Sequence, residues 1–161
     1  MRTAAIVVAM LLMACPGKSG PATPAEPVSH TSAEIVEAAT QLVEQWRQAW
    51  EVRSPDALKA LYAHDVDVVI VSQGRANLGW TAVEAWIDAE LGRATSIHLT
   101  VEGLSIGALG TGAASLVCTL RREINDGVSA AMENGQVTMA LRADGDTWLI
   151  VAEHYSFPST M

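Results

Sequence analysis

The sequence predicts an α+β domain in which helices come first and an antiparallel sheet follows. Between residues 31 and 92, apolar residues recur at spacings of three and four, as on one face of a helix. From residue 97 onward, apolar and polar residues alternate, which is typical of half-buried strands. Turn-forming residues separate these alternating segments, so consecutive strands should pair as hairpins. We therefore expect three helices packed on one face of an antiparallel sheet.

Local signals place the first two helices. Thr31 and Glu34 match a capping box, in which each residue satisfies a backbone group of the other at the start of a helix. The apolar stripe that follows contains Ile35, Ala39, Leu42, Trp46 and either Ala49 or Trp50. Ser54 and Pro55 suit the N-cap and first turn of a short second helix.

A strand and a third helix are predicted next. Residues 65–71 (DVDVVIV) are rich in β-branched side chains and predict the first strand. Thr81 and Glu84 match a second capping box, and we expect the third helix to begin there and to end at Gly92.

Four alternating segments complete the predicted sheet as a meander. Their apolar rows are Ile97, Leu99 and Val101; Leu116, Cys118 and Leu120; Val137, Met139 and Leu141; and the run from Trp148 to Tyr155. The predicted hairpin turns are residues 107–112, 125–127 and 144–146.

The first thirty residues predict a lipid anchor and a tether. Residues 1–14 form a short secretion signal, because a ten-residue apolar run is too short to span a bilayer. The sequence Leu12-Met13-Ala14-Cys15 resembles the site at which bacterial lipoproteins are cut and acylated, which implies lipidation of Cys15. The proline-rich residues 15–30 suit an extended spacer, and residues 31–161 remain for one domain. This organisation predicts a bacterial cell-envelope protein, with the outer membrane, facing the periplasm, as the expected site.

Charge excludes one class of partner. The whole chain carries a formal charge of −8, from 10 basic and 18 acidic residues, and no basic cluster is present. Nucleic acid is therefore not an expected partner. The membrane is expected to be contacted through the lipid rather than through the protein surface.

The motifs resemble one known family. The Trp46–Trp50 region, the step Leu61-Tyr62-Ala63-His64-Asp65 and the closing run from Trp148 to Pro158 are similar to SnoaL-like members of the nuclear transport factor 2-like fold. The closing run is also similar to the end of the association domain of calcium/calmodulin-dependent kinase. The resemblance implies a cone-shaped domain, with helices on a bent sheet that encloses a pocket, and sheet-to-sheet homodimers.

His154 and Asp65 are the candidate catalytic residues. Strand parity puts His154 in the inward row with Trp148, Ile150 and Ala152, where it suits an acid, a base or a hydrogen-bond donor. Asp65 lies at the mouth of the first strand and would orient His154 or act as a base. The alternative for His154 is a core histidine satisfied by a neighbouring backbone group or by Ser156, which is itself a candidate ligand contact. The alternative for Asp65 is a carboxylate that accepts hydrogen bonds in a turn or at a helix end.

Two adjacent arginines are candidate ligand contacts, and they must point to opposite faces of their strand. Parity sends Arg122 inward, whereas the resemblance to the kinase association domain implies Arg121, so the choice stays open. An inward arginine suits a carboxylate or another anion. The alternative is an ion pair with Glu123 or Glu133. Glu133 itself faces inward only if Gly135 introduces no bulge.

Trp50 and Tyr62 are further candidates to line the pocket. Both lie on the apolar faces of predicted helices, where an aromatic side chain is equally suited to the hydrophobic core. The histidines are scattered without ligand spacing, so neither a metal nor a cofactor is expected. Ketosteroid isomerase, a member of the fold, has its aspartate base at the position that Ile70 occupies in this chain. Polyketide-cyclase members use an acid on a later strand, and we find no carboxylate in the middle of a strand on an inward row.

Two functional hypotheses follow. The first is a lipid-anchored, non-catalytic module that binds a small organic ligand or pairs with a second copy. The second is a pocket enzyme of the isomerase, dehydratase or cyclase kind that uses His154 and Asp65. The missing first-strand base favours the binding module.

Overall fold

The computed structural model describes residues 29–158, which form one layer of helices packed on a six-stranded sheet. The elements in chain order are α1 (Ser32–Glu51), α2 (Pro55–Lys59), β1 (Val69–Ser72), β2 (Arg75–Leu78), α3 (Trp80–Arg93), β3 (Ser96–Ala108), β4 (Ala113–Asn125), β5 (Ala130–Asp144) and β6 (Thr147–Ser156). The predicted α+β cone is confirmed. The signal peptide, Cys15 and most of the tether lie outside the described residues.

The strand order is β2-β1-β6-β5-β4-β3, and β3 to β6 form the predicted antiparallel meander. β1 pairs in parallel with β6, so the sheet is mixed rather than wholly antiparallel. The buried face of α1 packs on β3, β4 and β6, whereas α3 packs mainly on α2, β1 and β2. Trp46, Trp50 and Ile87 from these helices are almost completely buried.

Two of the predicted boundaries are wrong. The capping box at Thr31 and Glu34 forms as expected. The box predicted at Thr81 does not start α3, because α3 begins at Trp80 after Gly79, which adopts a φ of 77°. The first strand is shorter than predicted, since residues 65–67 form a bend and β1 begins at Val69. β2 was not predicted, and it pairs with β1 through a tight turn at Gln73 and Gly74, both with positive φ.

The chain enters the domain at one end of the meander. The His30 backbone N–H donates a hydrogen bond to the Thr111 carbonyl at 3.0 Å, and its ring nitrogen lies 3.3 Å from the Gly145 carbonyl. The same ring packs against Trp148 with centroids 5.4 Å apart. These contacts fix the start of the domain beside the β3–β4 and β5–β6 turns. Among residues 29–158, no helix is long and apolar enough to cross a bilayer.

Candidate functional site

A β-bulge in β6 decides which side chains enter the cone. Leu141 of β5 pairs with Ile150, and the preceding Ala140 pairs with Ala152, so Val151 is an extra residue. One extra residue reverses the alternation of every side chain that follows it. Trp148 and Ile150 face inward before the bulge, and Glu153 and Tyr155 face inward after it.

The prediction that His154 faces the interior is therefore wrong. His154 and Ser156 are exposed on the outer face of β6. Strict alternation along β6 would direct His154 inward, but the extra residue Val151 reverses the alternation and directs His154 outward. The expectation that no carboxylate lies on an inward row is wrong for the same reason, because Glu153 is 1% exposed.

Glu153 lies at the centre of a buried polar cluster. The Tyr62 hydroxyl donates a hydrogen bond to Glu153 Oε2, and Trp46 Nε1 donates to the Tyr62 oxygen at 3.3 Å. Burial raises the pKa of Glu153 from 4.5 to about 7, although the nearby Tyr155 and Tyr62 hydroxyls and the Arg122 charge oppose the shift. A carboxyl group with this pKa is partly protonated near neutral pH, so it is able to accept or donate a proton.

Arg122 is the inward arginine, as parity predicts, and it is 1% exposed. Arg122 Nε donates to Glu133 Oε2 at 2.7 Å, and Nη1 lies 3.7 Å from Glu90 Oε2. Arg121 points outward and pairs with Glu123 at 2.9 Å. The ion pairs with Glu123 and Glu133 are those that the sequence predicted as the alternative to a ligand contact. Glu133 faces inward, since β4 and β5 pair without interruption across Gly135.

Aromatic rings surround the Arg122 guanidinium. Its central carbon lies 5.4 Å from the Tyr155 ring centroid and 5.2 Å from that of Phe157. Trp86 lies 5.8 Å from Tyr155 and 5.9 Å from Trp50, measured between ring centroids. Trp50 and Tyr62, both predicted as core or pocket wall, therefore belong to the same buried cluster as Arg122 and Glu153.

Several polar atoms of this cluster have no hydrogen-bond partner. They are Trp50 Nε1, the Tyr155 hydroxyl, Glu153 Oε1 and Arg122 Nη1, which lies 3.7 Å from Glu90 Oε2. Arg122 Nη2 is held by Glu133 Oε2 at 2.5 Å. Buried polar groups are nearly always hydrogen-bonded, so an unpartnered group calls for a physical explanation. Four such atoms in one cluster are available to hydrogen-bond with water or with a polar ligand.

Two cavities open beside this cluster. The larger, about 830 Å³, lies where β6 ends, between the β1–β2 turn and the start of β5. Its wall includes Tyr155 and Phe157, and also the exposed side chains of His154 and Ser156. The smaller, about 300 Å³, lies beside the β4–β5 turn. Ala131 and Glu133 line both cavities, so Arg122 lies just behind the wall that they share.

Asp65 is not part of this cluster. It pairs with Arg142 at 2.6 Å and accepts hydrogen bonds from the backbone of Asp67 and Val68 at 3.0 and 3.1 Å. The Arg142 guanidinium, followed by the Asp67 hydrogen bond, lowers the pKa of Asp65. Arg142 pairs with Leu149, five residues before His154, which puts Asp65 roughly 15 Å from His154 along the strand. The structure thus does not bring the predicted catalytic pair together, and Asp65 has the turn role considered as its alternative.

Sequence reasoning missed Glu153 and Tyr155 as site residues. A single glutamate follows five apolar residues of β6, and this break in an otherwise apolar run was the available signal. No group of histidine, cysteine or acidic residues within the described part of the chain could hold a metal ion.

A helical layer on a bent sheet, with a buried polar cluster behind its open end, defines the class of small cone-shaped pocket domains. The chain belongs to the SnoaL-like domain family, whose model matches residues 39–160. None of the curated proteins matches it.

Solved structures show the same fold. A nuclear transport factor 2-like superfamily protein from Salmonella enterica is 15% identical, with a TM-score of 0.73 over 81% of this chain and 95% of that one. A protein described as a putative scytalone dehydratase from Novosphingobium aromaticivorans is 11% identical, with a TM-score of 0.71 over 78% of this chain and 85% of that one. A nuclear transport factor 2-like protein of unknown function from Pseudomonas putida is 27% identical, with a TM-score of 0.67 over 83% and 92% of the two chains.

Proposed function

We propose that this chain is a lipid-anchored cell-envelope domain that binds a small, neutral organic molecule inside its cone. The observation that carries the proposal is the set of unpartnered polar atoms at Trp50, Tyr155, Glu153 and Arg122. A ligand with a carbonyl or hydroxyl group would satisfy them, because the set offers both hydrogen-bond donors and an acceptor.

The charge balance of the cluster favours a neutral ligand over an anion. The positive charge of Arg122 is already met by Glu133, and Glu90 lies on the other side of the guanidinium. Burial raises the pKa of Glu90, which indicates that this region is poorly solvated. An incoming carboxylate would meet two acidic side chains beside a cation that is already paired.

Two matched variants test the binding site. The Tyr155 hydroxyl lies near Glu153 without forming a well-aligned hydrogen bond, whereas the Tyr62 hydroxyl donates a hydrogen bond to Glu153. We expect Tyr155→Phe to keep the free energy of unfolding and to reduce the bound ligand at least ~5-fold, since a hydrogen bond to ligand is lost. Tyr62→Phe should instead destabilise the protein by about 1–3 kcal/mol.

Ligand occupancy is measured by native mass spectrometry of the full chain purified from its own cells in detergent. Urea unfolding of the two variants supplies the comparison of stability. A protein that carries no organic molecule, or a Tyr155→Phe variant with undiminished occupancy, would contradict the proposal.

The anchor is tested separately. We propose that Cys15 is acylated and that the domain lies on the outer membrane, facing the periplasm, with Pro16 in place of the aspartate that retains lipoproteins at the inner membrane. The native chain should then partition into detergent, whereas Cys15→Ala should stay in the aqueous phase or remain uncleaved. Equal partitioning of the two forms would refute the anchor.

An isomerase or lyase is the second candidate function, and the Glu153 carboxyl favours it. A buried acid with a pKa of about 7, held by the Tyr62 hydroxyl, suits proton transfer to or from a bound ligand. The co-purified ligand, incubated with the protein in D₂O, would then gain deuterium at a carbon atom. Glu153→Gln should abolish that exchange, and an absence of exchange in the native protein would leave the binding role alone.

A further inference from the structure

The segment that follows β6 covers the buried cluster. β6 ends at Ser156, and residues 156–158 leave the strand and cross the inward face of β5. Phe157 is half-buried there, with its ring 5.8 Å from that of Tyr155 at an interplanar angle of 34°. The same ring lies over the Arg122 guanidinium at 5.2 Å. Phe157 thus lies between the Arg122 guanidinium and the 830 Å³ cavity, whose wall Phe157 and Tyr155 both help to form.

Gly135 makes this crossing possible. A Cβ atom on Gly135 would lie 2.2 Å from the Ser156 carbonyl oxygen and 2.7 Å from Phe157 Cδ1. Both distances are far shorter than a van der Waals contact, so any side chain at residue 135 would push the segment away. The position of Phe157 therefore depends on a missing side chain of β5 rather than on strand pairing, because pairing between β5 and β6 stops at Gln136 and Ser156.

We propose that Phe157 occupies the place of a ligand's ring, so that the ligand is a planar, unsaturated ring compound with a neutral polar substituent. The ligand enters from the larger cavity, displaces Phe157 from the faces of Arg122 and Tyr155, and directs its polar group toward the Tyr155 hydroxyl and Glu153. This inference rests on the proposed binding function and names its ligand class.

The chemistry of the two faces supports a flat ring. A guanidinium plane and a phenol ring both bind the face of an aromatic group better than a saturated one. Because Glu133 already pairs with Arg122, the stacked ring needs no charge of its own. Unpartnered atoms at Tyr155 and Glu153 lie beside this position and provide the polar end of the site.

Two variants that clear the Phe157 ring from Arg122 and Tyr155, each in a different way, test the inference. Phe157→Ala removes the ring, and Gly135→Ala keeps the ring but displaces the segment. Gln136→Ala is the control, because residue 136 is exposed on the opposite face of β5. The probes are phenol and cyclohexanol, a planar and a saturated ring that carry the same hydroxyl group. Their affinities are measured on the full chain, in one detergent, from the quenching of tryptophan fluorescence or from ligand-induced shifts in melting temperature.

We expect Phe157→Ala and Gly135→Ala each to bind phenol ~10-fold more tightly than the native chain, since apparent affinity rises with the fraction of open molecules. Gln136→Ala should match the native chain, and phenol should bind more tightly than cyclohexanol throughout. Addition of Tyr155→Phe to Phe157→Ala should weaken phenol binding, which would not occur if phenol only filled the space left by the ring.

The inference is overturned if neither opened variant gains affinity, if cyclohexanol binds as well as phenol, or if Tyr155→Phe has no effect in the opened background. Should Gly135→Ala fail to fold, as judged by circular dichroism, Phe157→Ala decides the question. A protein that carries a non-planar ligand from its own cells would refute this ligand class and leave the proposed function intact. A protein without any ligand would count against both.

Discussion

The Tyr62 hydroxyl donates a hydrogen bond to Glu153, and this contact joins the segment after α2 to the last strand of the sheet. A backbone bridge between Tyr62 and Ile150 lies beside it. The buried carboxyl is therefore held by the frame of the domain rather than by a loop, and its ionisation bears on the stability of the whole fold.

Glu153 should make the protein less stable as the pH rises. Its pKa is raised by burial to about 7 from 4.5, so the folded state holds its proton over a range in which the unfolded chain has lost it. The stabilisation is fully present below about pH 4.5 and is lost as the pH rises through 7, by roughly 3 kcal/mol. Urea unfolding of the native chain and Glu153→Gln between pH 4.5 and 8 measures this difference. The two forms should diverge with pH, and parallel curves would show that Glu153 titrates normally.

The Arg122–Glu133 pair should be strongly coupled. Arg122→Met leaves acidic groups buried without their cation, and we expect a loss of about 3 kcal/mol in the free energy of unfolding. In a Glu133→Gln background, the same change should cost at least ~1 kcal/mol less, because one of the uncompensated charges is gone. A double-mutant cycle by urea denaturation measures the coupling. Equal costs in both backgrounds would assign Arg122 a packing role only.

His154→Ala should change the free energy of unfolding by less than ~0.5 kcal/mol, since the side chain is exposed and has no hydrogen-bond partner in the structure. Thermal melts and urea unfolding of the variant check this expectation. A loss above about 1 kcal/mol would mean that the side chain is buried after all.

The outer face of the sheet should pair with a second copy. Val117 is exposed on that face, and Leu149, which lies on the same face, is half-buried. A dimer that buries this face explains its apolar character. Val117→Lys should shift the chain toward monomer in sedimentation equilibrium with density-matched detergent, and Gln41→Lys on the exposed side of α1 should not. A native chain that is monomeric at high concentration would contradict the prediction.

Local signals were sufficient for much of this fold. The capping box at Thr31 predicted the start of α1, and period-two alternation predicted four strands and the inward direction of Arg122, because β4 has no bulge near it. The β1–β2 hairpin was missed, although Gln73 and Gly74 form a compact turn signal.

The site was harder to predict because its direction depends on pairing between strands. Nothing within the β6 sequence marks Val151 as the bulged residue. The bulge exists only in the register of β6 against β5, where Ala140 and Leu141 meet residues two apart. Parity alone therefore selected His154, and its neighbour Glu153 was overlooked.

The contacts of His30 with Thr111 and Gly145 also determine the direction in which the cavities open relative to the tether. The tether joins the domain at the end of β5 near Asp144, whereas both cavities open beside Ala131, roughly 40 Å away along that strand. Under the lipidation of Cys15 that we propose, the mouth of an upright domain would point away from the bilayer. Solutes of the surrounding aqueous compartment, rather than molecules dissolved in the lipid, would be the ones that reach it.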